Sequence, residues 1–232
     1  MFNGSKLVVE TNDLRLDPPL IRLSFFFIYK LSIKKFDYLF KNFKLYSSIM
    51  MYNLIACVNK HGLLGQENDL YASSSKDLHY FSQVTKGHYT SKQNIIVMGY
   101  NTWLSLPHKP LQDRYNIVIT RNHKHKIKDT YHLDSLDKVF PYIESMKDNF
   151  GEVFVIGGAS IYEQCLLKYP EQLNKMYITE INDDWSGNEQ SKYFHYGSVL
   201  SQMSVIKERS ELIDTRIYDP NDNKYIVKKC KV

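Results

Sequence analysis

Cysteine is scarce in this 232-residue chain, and the three present, Cys57, Cys165 and Cys230, are scattered and odd in number. That excludes a disulfide framework and any metal-ligand spacing, and makes a reducing compartment the default. No apolar run is long enough to span a bilayer. There is no internal repeat, no G-x-G-x-x-G and no G-K-[ST], so the standard dinucleotide and P-loop signatures are missing. Hydrophobic residues at 43% and charged residues at 24% suit a globular chain of one domain, or one domain with an extension.

What is present is uneven. Residues 1–50 carry Lys6, Arg15, Arg22, Lys30, Lys34, Lys35, Lys41 and Lys44 against Glu10, Asp13, Asp17 and Asp37, about +4 of the net +5. The remaining body is nearly neutral, which argues against nucleic acid as its partner. Three readings of this leader compete: a basic amphipathic surface helix, a targeting segment, or an upstream stretch that the fold does not need. The third is expected, because a strand pattern begins at Met51. The expected division is therefore an extension over 1–50 and a domain over 51–232.

From Met51 short apolar runs alternate with helical patterns. "YNLIACV", "NIIVM", "YNIVIT", "VFVI" and "KMYITEI" read as strands, and "TRIYD" and "KYIVKK" around "PNDN" as a hairpin. Such alternation predicts an α/β fold, a mainly parallel twisted sheet with flanking helices and a C-terminal antiparallel hairpin. Ligands of such sheets bind beyond the carboxyl ends of the strands. Two strands end there in glycine before a helix, at Gly99 in "VMGYNTW" and at Gly157 and Gly158 in "VIGGAS". Helix N-termini with glycine suit phosphate, and two such junctions suggest a pyrophosphate. Arg121, after the third strand, is placed for a further phosphate, which favours NADP over NAD.

One carboxylate is out of place. In "SSSKDLHYF", Asp77 falls in line with Tyr80, Phe81 and Val84, the apolar stripe of a helix, while Lys76, His79, Gln83 and Lys86 carry the opposite face. Ser74 and Asp77 together fit a capping box, the plain reading of that acid.

The segments "LIACVNKHGLLGQEND", "KDLHYF", "IIVMGYNTWLSLP", "RYNIVITR", "VFVIGGASIYEQ" and "MYITEI" resemble dihydrofolate reductase in order and spacing, from Met51 to the C-terminus. The resemblance implies NADPH-dependent reduction of dihydrofolate, methotrexate sensitivity, and a cytoplasmic monomer with no metal and no membrane span. It implies that Asp77 is the catalytic acid of the pterin pocket. Ile55, Ala56, Leu78, Phe81, Leu106 and Ile156 would wall the substrate. Arg114 would clamp its glutamate α-carboxylate, Thr179 would orient Asp77, and Tyr162 would lie beside the nicotinamide. Cys57, Leu64, Gly65, Gly99, Asn101, Thr102, Ile119, Thr120, Arg121, Gly157, Gly158, Ala159, Ser160, Ile161 and Gln164 would line the NADPH site, with a cis peptide at Gly157-Gly158.

Departures are visible. Tyr71-Ala72 stands where the family has Pro-Trp. Tyr100 and Asp134 stand at positions often basic, and Asn188 where an Asp is usual. Two rival readings follow: a pyrimidine reductase of riboflavin synthesis, which the Asp77 and Arg114 pair disfavours, and a binding module without turnover.

Overall fold

The computed structural model describes residues 50–67, 69–71, 74–87, 92–122, 129–146, 149–202 and 213–229. The leader over 1–49, Ala72 and the segment "SVIKERSEL" lie outside the described residues.

Along the chain run β1 (Tyr52–Asn59), β2 (Leu63–Gln66), β3 (Asp69–Leu70), α1 (Ser75–Lys86), β4 (Asn94–Gly99) and α2 (Tyr100–Ser105). They are followed by β5 (Arg114–Ile119), β6 (Tyr131–Leu133), α3 (Leu136–Glu144), β7 (Val153–Val155) and α4 (Ala159–Lys168). Then come β8 (Leu173–Ile181), β9 (Ser191–Tyr193), α5 (Tyr196–Gln202), β10 (Ile213–Asp219) and β11 (Lys224–Lys229). Eight strands form one sheet in the order β11-β10-β8-β1-β7-β4-β5-β6. Neighbours pair in parallel from β6 through to β10, and β11 returns antiparallel to β10 at the edge. The expected mainly parallel sheet and terminal hairpin are thus borne out, with a refinement: β10 itself runs parallel to β8.

Period-2 alternation explains the two-sided core. On β1, Leu54, Ala56 and Val58 point to one face and join Val97, Val155, Ile178, Val139 and Leu166. Ile55 points to the other face with Ile96, Met98, Phe154 and Ile156, and Phe81 and Val84 of α1 pack on that cluster. Each such fully buried side chain stabilises the fold by about 1.5–3 kcal/mol. Pro141 sits inside α3 rather than ending it, on the exposed side.

Three features were not predicted, one of them the short helix α5. β6 adds an edge strand beside β5. The stretch after β1 holds β2 and β3, and β2 pairs with β3 on one side and β9 on the other as a three-stranded sheet of their own.

Candidate active site

The carboxyl ends of the central strands carry most of the predicted residues. Asp77 lies in the first turn of α1, half-buried over β1 and β8. Cys57 and Thr179 are register partners on those strands, so their side chains leave the same face. Thr179 Oγ1 donates to Asp77 Oδ1 at 2.6 Å. Burial raises the Asp77 carboxyl above its usual pKa, while the bond from Thr179, the charge of Arg216 and a bond from Cys57 pull the other way. Burial beside Asp77 likewise pushes the Cys57 thiol up, so this cysteine is a neutral hydrogen-bond donor rather than a nucleophile.

The capping box does not form. Ser74 is the N-cap of α1, but its hydroxyl makes no cap bond and meets Tyr225 Oη at 2.9 Å instead. Asp77 is held by the sheet rather than by its own helix.

Arg114 begins β5 and is 9% exposed. Its Nη1 donates to Thr85 Oγ1 at 2.7 Å, its Nε donates to the Gln112 carbonyl at 3.0 Å, and its guanidinium lies 5.8 Å from the Phe81 ring centre. No carboxylate makes an ion pair with it among the described residues. Burial lowers its pKa, as expected of a desolvated cation. Thr85 and Asp77 stand at opposite ends of α1, roughly 12 Å apart at 1.5 Å per residue. Between these polar groups lies an apolar floor of Ile55 and Ile156 with Phe81, and half-buried Leu106 packs on the same cluster. Leu78 is 42% exposed on α1. Ala56 points to the opposite face of the sheet, so its side chain does not wall this floor, because it alternates with Ile55 along β1.

The other predicted set surrounds two glycine junctions, which adjoin because β4 and β7 are neighbours. The Gly99 amide donates to the Gly157 carbonyl at 2.8 Å, and Gly157-Gly158 is a cis peptide. A Cβ on Gly99 would come within 3.3 Å of Ile161, and one on Gly158 within 3.2 Å of Thr102 Oγ1. Gly157 has φ +117°, a conformation that side chains rarely adopt. Ser160 and Asn101 are exposed beside these turns, and Gln164 Nε2 donates to the Ser160 carbonyl and hydroxyl. Ala159, Ile161 and Ile119 pack on the first core cluster, as does Leu64. Thr120 is buried just past β5, and its hydroxyl accepts from the Asn122 amide. Arg121 is exposed beside it. Gly65 sits in β2, where a Cβ would lie 2.6 Å from the Asp69 carbonyl.

Tyr162 is 2% exposed, packs on Phe194, and donates through Oη to the Ile55 carbonyl at 2.6 Å. It braces β1 from beneath the Gly157 turn. Where the Pro-Trp pair is missing, Tyr71 stacks on Trp185 at 5.1 Å and donates to Asp183 at 2.6 Å. Burial alone would raise Asp183, but bonds from Tyr71, Trp185 N and Asn59 outweigh it and hold the carboxyl below its usual value. Asp134 pairs with Lys138. Asn188 caps a turn by accepting from the Gln190 amide. Sequence reasoning missed Arg216, which reaches the neighbourhood of Asp77 only because β10 lies beside β8, with Arg216 in register with Thr179.

A parallel sheet with paired glycine turns at its strand ends, facing an elongated floor with a carboxylate at one end and a buried cation at the other, defines an α/β enzyme cleft for small molecules. A model of the dihydrofolate reductase family matches residues 51–211. The chain is 31% identical over 143 residues to a viral dihydrofolate reductase of Saimiriine herpesvirus 2 (strain 488), covering 57% of this chain and 64% of that protein. It is 27% identical over 179 residues to a bifunctional dihydrofolate reductase-thymidylate synthase of Acanthamoeba polyphaga mimivirus, covering 72% of this chain and 31% of that one. A dihydrofolate reductase of Staphylococcus haemolyticus is 33% identical over 141 residues, covering 61% of this chain and 76% of that protein. The chain thus spans less than two thirds of the two viral relatives. It belongs to the dihydrofolate reductase family of oxidoreductases.

Proposed function

We propose that this chain reduces 7,8-dihydrofolate to 5,6,7,8-tetrahydrofolate with NADPH, as a cytoplasmic monomer. The carrying observation is Asp77, a half-buried carboxylate fixed by Thr179 at one end of an apolar floor. A pterin edge offers a ring N–H beside an exocyclic amino group, and one carboxylate accepts both. Thr179 donates to Oδ1, which fixes the plane of that acceptor pair. Burial raises the Asp77 carboxyl above its usual pKa, the direction that favours its holding a proton for delivery toward N5. Arg114, already oriented by Thr85 and Gln112, would take the glutamate α-carboxylate at the far end of α1.

The residues present also fit the cofactor. The glycine turns at Gly99 and Gly157-Gly158 leave backbone where a Cβ would intrude, with the Thr102 and Ser160 hydroxyls beside them. Arg121 is the exposed cation suited to the ribose phosphate. When bound, NADPH supplies the hydride that C6 of the pterin receives. Among the described residues no helix is long and apolar enough to cross a membrane, and no group of His, Cys, Asp and Glu is arranged to hold a metal ion.

The test is loss of NADPH absorbance on adding dihydrofolate, with and without methotrexate. Methotrexate-sensitive oxidation is expected. Tight folate binding without oxidation would make the chain a binding module instead.

A further inference from the structure

The flank of α1 next to the Asp77 end of the cleft holds a second polar feature. There the β10–β11 hairpin and α1 line an open, shallow cavity of about 330 Å³. Lys76, His79 and Gln83 enter from α1, and Arg216 and Tyr225 from the hairpin. No carboxylate lines it among the described residues. Lys76 Nζ donates to neutral oxygens, the Asn223 carbonyl at 2.9 Å and Asn223 Oδ1 at 3.2 Å, so its charge is not cancelled. The Arg216 guanidinium is clasped 3.9 Å from the Tyr80 ring centre and 4.4 Å from that of Tyr225. Such clasping fixes the cation and strips it of water. Its Nη1 is buried and has no hydrogen-bond partner among the described residues. Of the nearby acids, Asp214 pairs with Lys175 and accepts from the Tyr80 hydroxyl, while Asp77 accepts from Thr179 and feels the charge of Arg216 without a hydrogen bond or ion pair to it among the described residues.

We propose that this cavity is an anion site that takes a phosphate group. A fixed guanidinium, a lysine and an imidazole converge from two elements, with the Ser75 hydroxyl and Gln83 amide as further donors. A tetrahedral dianion accepts from several directions at once, which a flat carboxylate does less well. The volume sits at the low end of the roughly 300–1,000 Å³ typical of small-ligand pockets. The ligand is therefore a compact phosphate or a phosphate headgroup rather than a long polymer.

Calorimetric titration of the full chain with inorganic pyrophosphate tests this, with saturating NADPH present to fill the glycine turns and the Arg121 position of the cofactor cleft. Saturable one-site binding is expected. Arg216→Gln and, separately, Lys76→Gln should each weaken it by roughly tenfold or more, the scale of a charge-assisted hydrogen bond. Lys76 is exposed, so its substitution remains informative if the Arg216 variant folds poorly. Co-sedimentation with phosphatidylcholine vesicles, with and without phosphatidic acid, distinguishes the sources. Lys76-dependent capture only by the acidic vesicles would assign a lipid headgroup, and pyrophosphate binding without capture a soluble phosphate. No binding in either arm, or binding that Lys76→Gln leaves unchanged, would overturn the proposal.

Discussion

Arg114 and Arg121 flank the same strand, β5, and the chain treats them in opposite ways. Arg114 is buried, donates to Thr85 and Gln112, and lies against Phe81. Arg121 is exposed just past the strand's end. The same contrast separates the two walls of the cleft. The Asp77 wall is built from side chains anchored to the sheet, while the glycine wall is built from backbone with an exposed cation beside it. Anchored, desolvated groups act through short-range geometry and are insensitive to salt, whereas exposed charges are screened. The contrast ranks the effects of substitution.

The largest effect should come from the most anchored group. Asp77→Asn keeps an oxygen for Thr179 but cannot offer two acceptors to a pterin edge. Turnover should fall by roughly 100-fold or more, the scale of a lost general acid–base role, with the fold intact. Steady-state rates and circular dichroism of the variant check this, and near-normal turnover would remove Asp77 from the chemistry.

Arg114→Leu comes next. Dihydrofolate should bind roughly 10- to 100-fold more weakly, with little change for NADPH and little dependence on ionic strength. Equal losses for both ligands would reduce Arg114 to a brace between β5 and α1.

Arg121→Ala should be milder and salt-dependent. The Michaelis constant for NADPH should rise and that for NADH stay nearly constant, narrowing the preference by roughly tenfold at low salt and less at high salt. Kinetics with both cofactors at two salt concentrations decide the matter. A parallel response would show that Arg121 does not read the ribose phosphate.

A smaller effect concerns the ligand-free fold. An acid whose folded pKa is raised costs stability when it ionises. That cost is absent below the unfolded value of about 3.9 and full above the raised folded value. Asp77→Asn should therefore melt higher than the parent chain at neutral pH, and the gain should vanish as the pH falls below the ordinary carboxylate range. A gain that persists in acid would mean that burial does not govern this carboxyl.

The smallest effect expected is none. A chain beginning at Met51 should match the full chain in solubility and rate, if the leader contributes to neither wall. Aggregation or lost activity would place part of the fold in residues 1–50.

The central strands were legible because each is a short apolar run, and buried parallel strands need no other signal. The glycine turns and Asp77 stood out in the sequence because they break local patterns, and the structure places them at the carboxyl ends of the central strands. The small sheet was not legible: "LLGQ", "DL" and "SKY" are too short to show a period, and the pairing of β2 with β9 joins segments far apart in sequence. Arg216 was invisible for a related reason. Its approach to Asp77 follows from the register of β10 on β8, which no local pattern encodes. The capping box misled because Ser74 and Asp77 have the right spacing, but tertiary partners, Tyr225 and Thr179, outcompete the helix end for both side chains.

Tyr162 gives the cleft a property that neither wall has alone. Its phenol donates to the Ile55 carbonyl of the apolar floor, and its ring and hydroxyl fill the space against Gly157. The two floors therefore share one post. A compound that pushes Ile55 downward would be felt at the glycine turn, and one that lifts the turn would be felt at Ile55. If dihydrofolate and NADPH bind as proposed, an inhibitor's fit on one side would depend on who occupies the other seat, and its affinity would differ between the empty chain and the filled one.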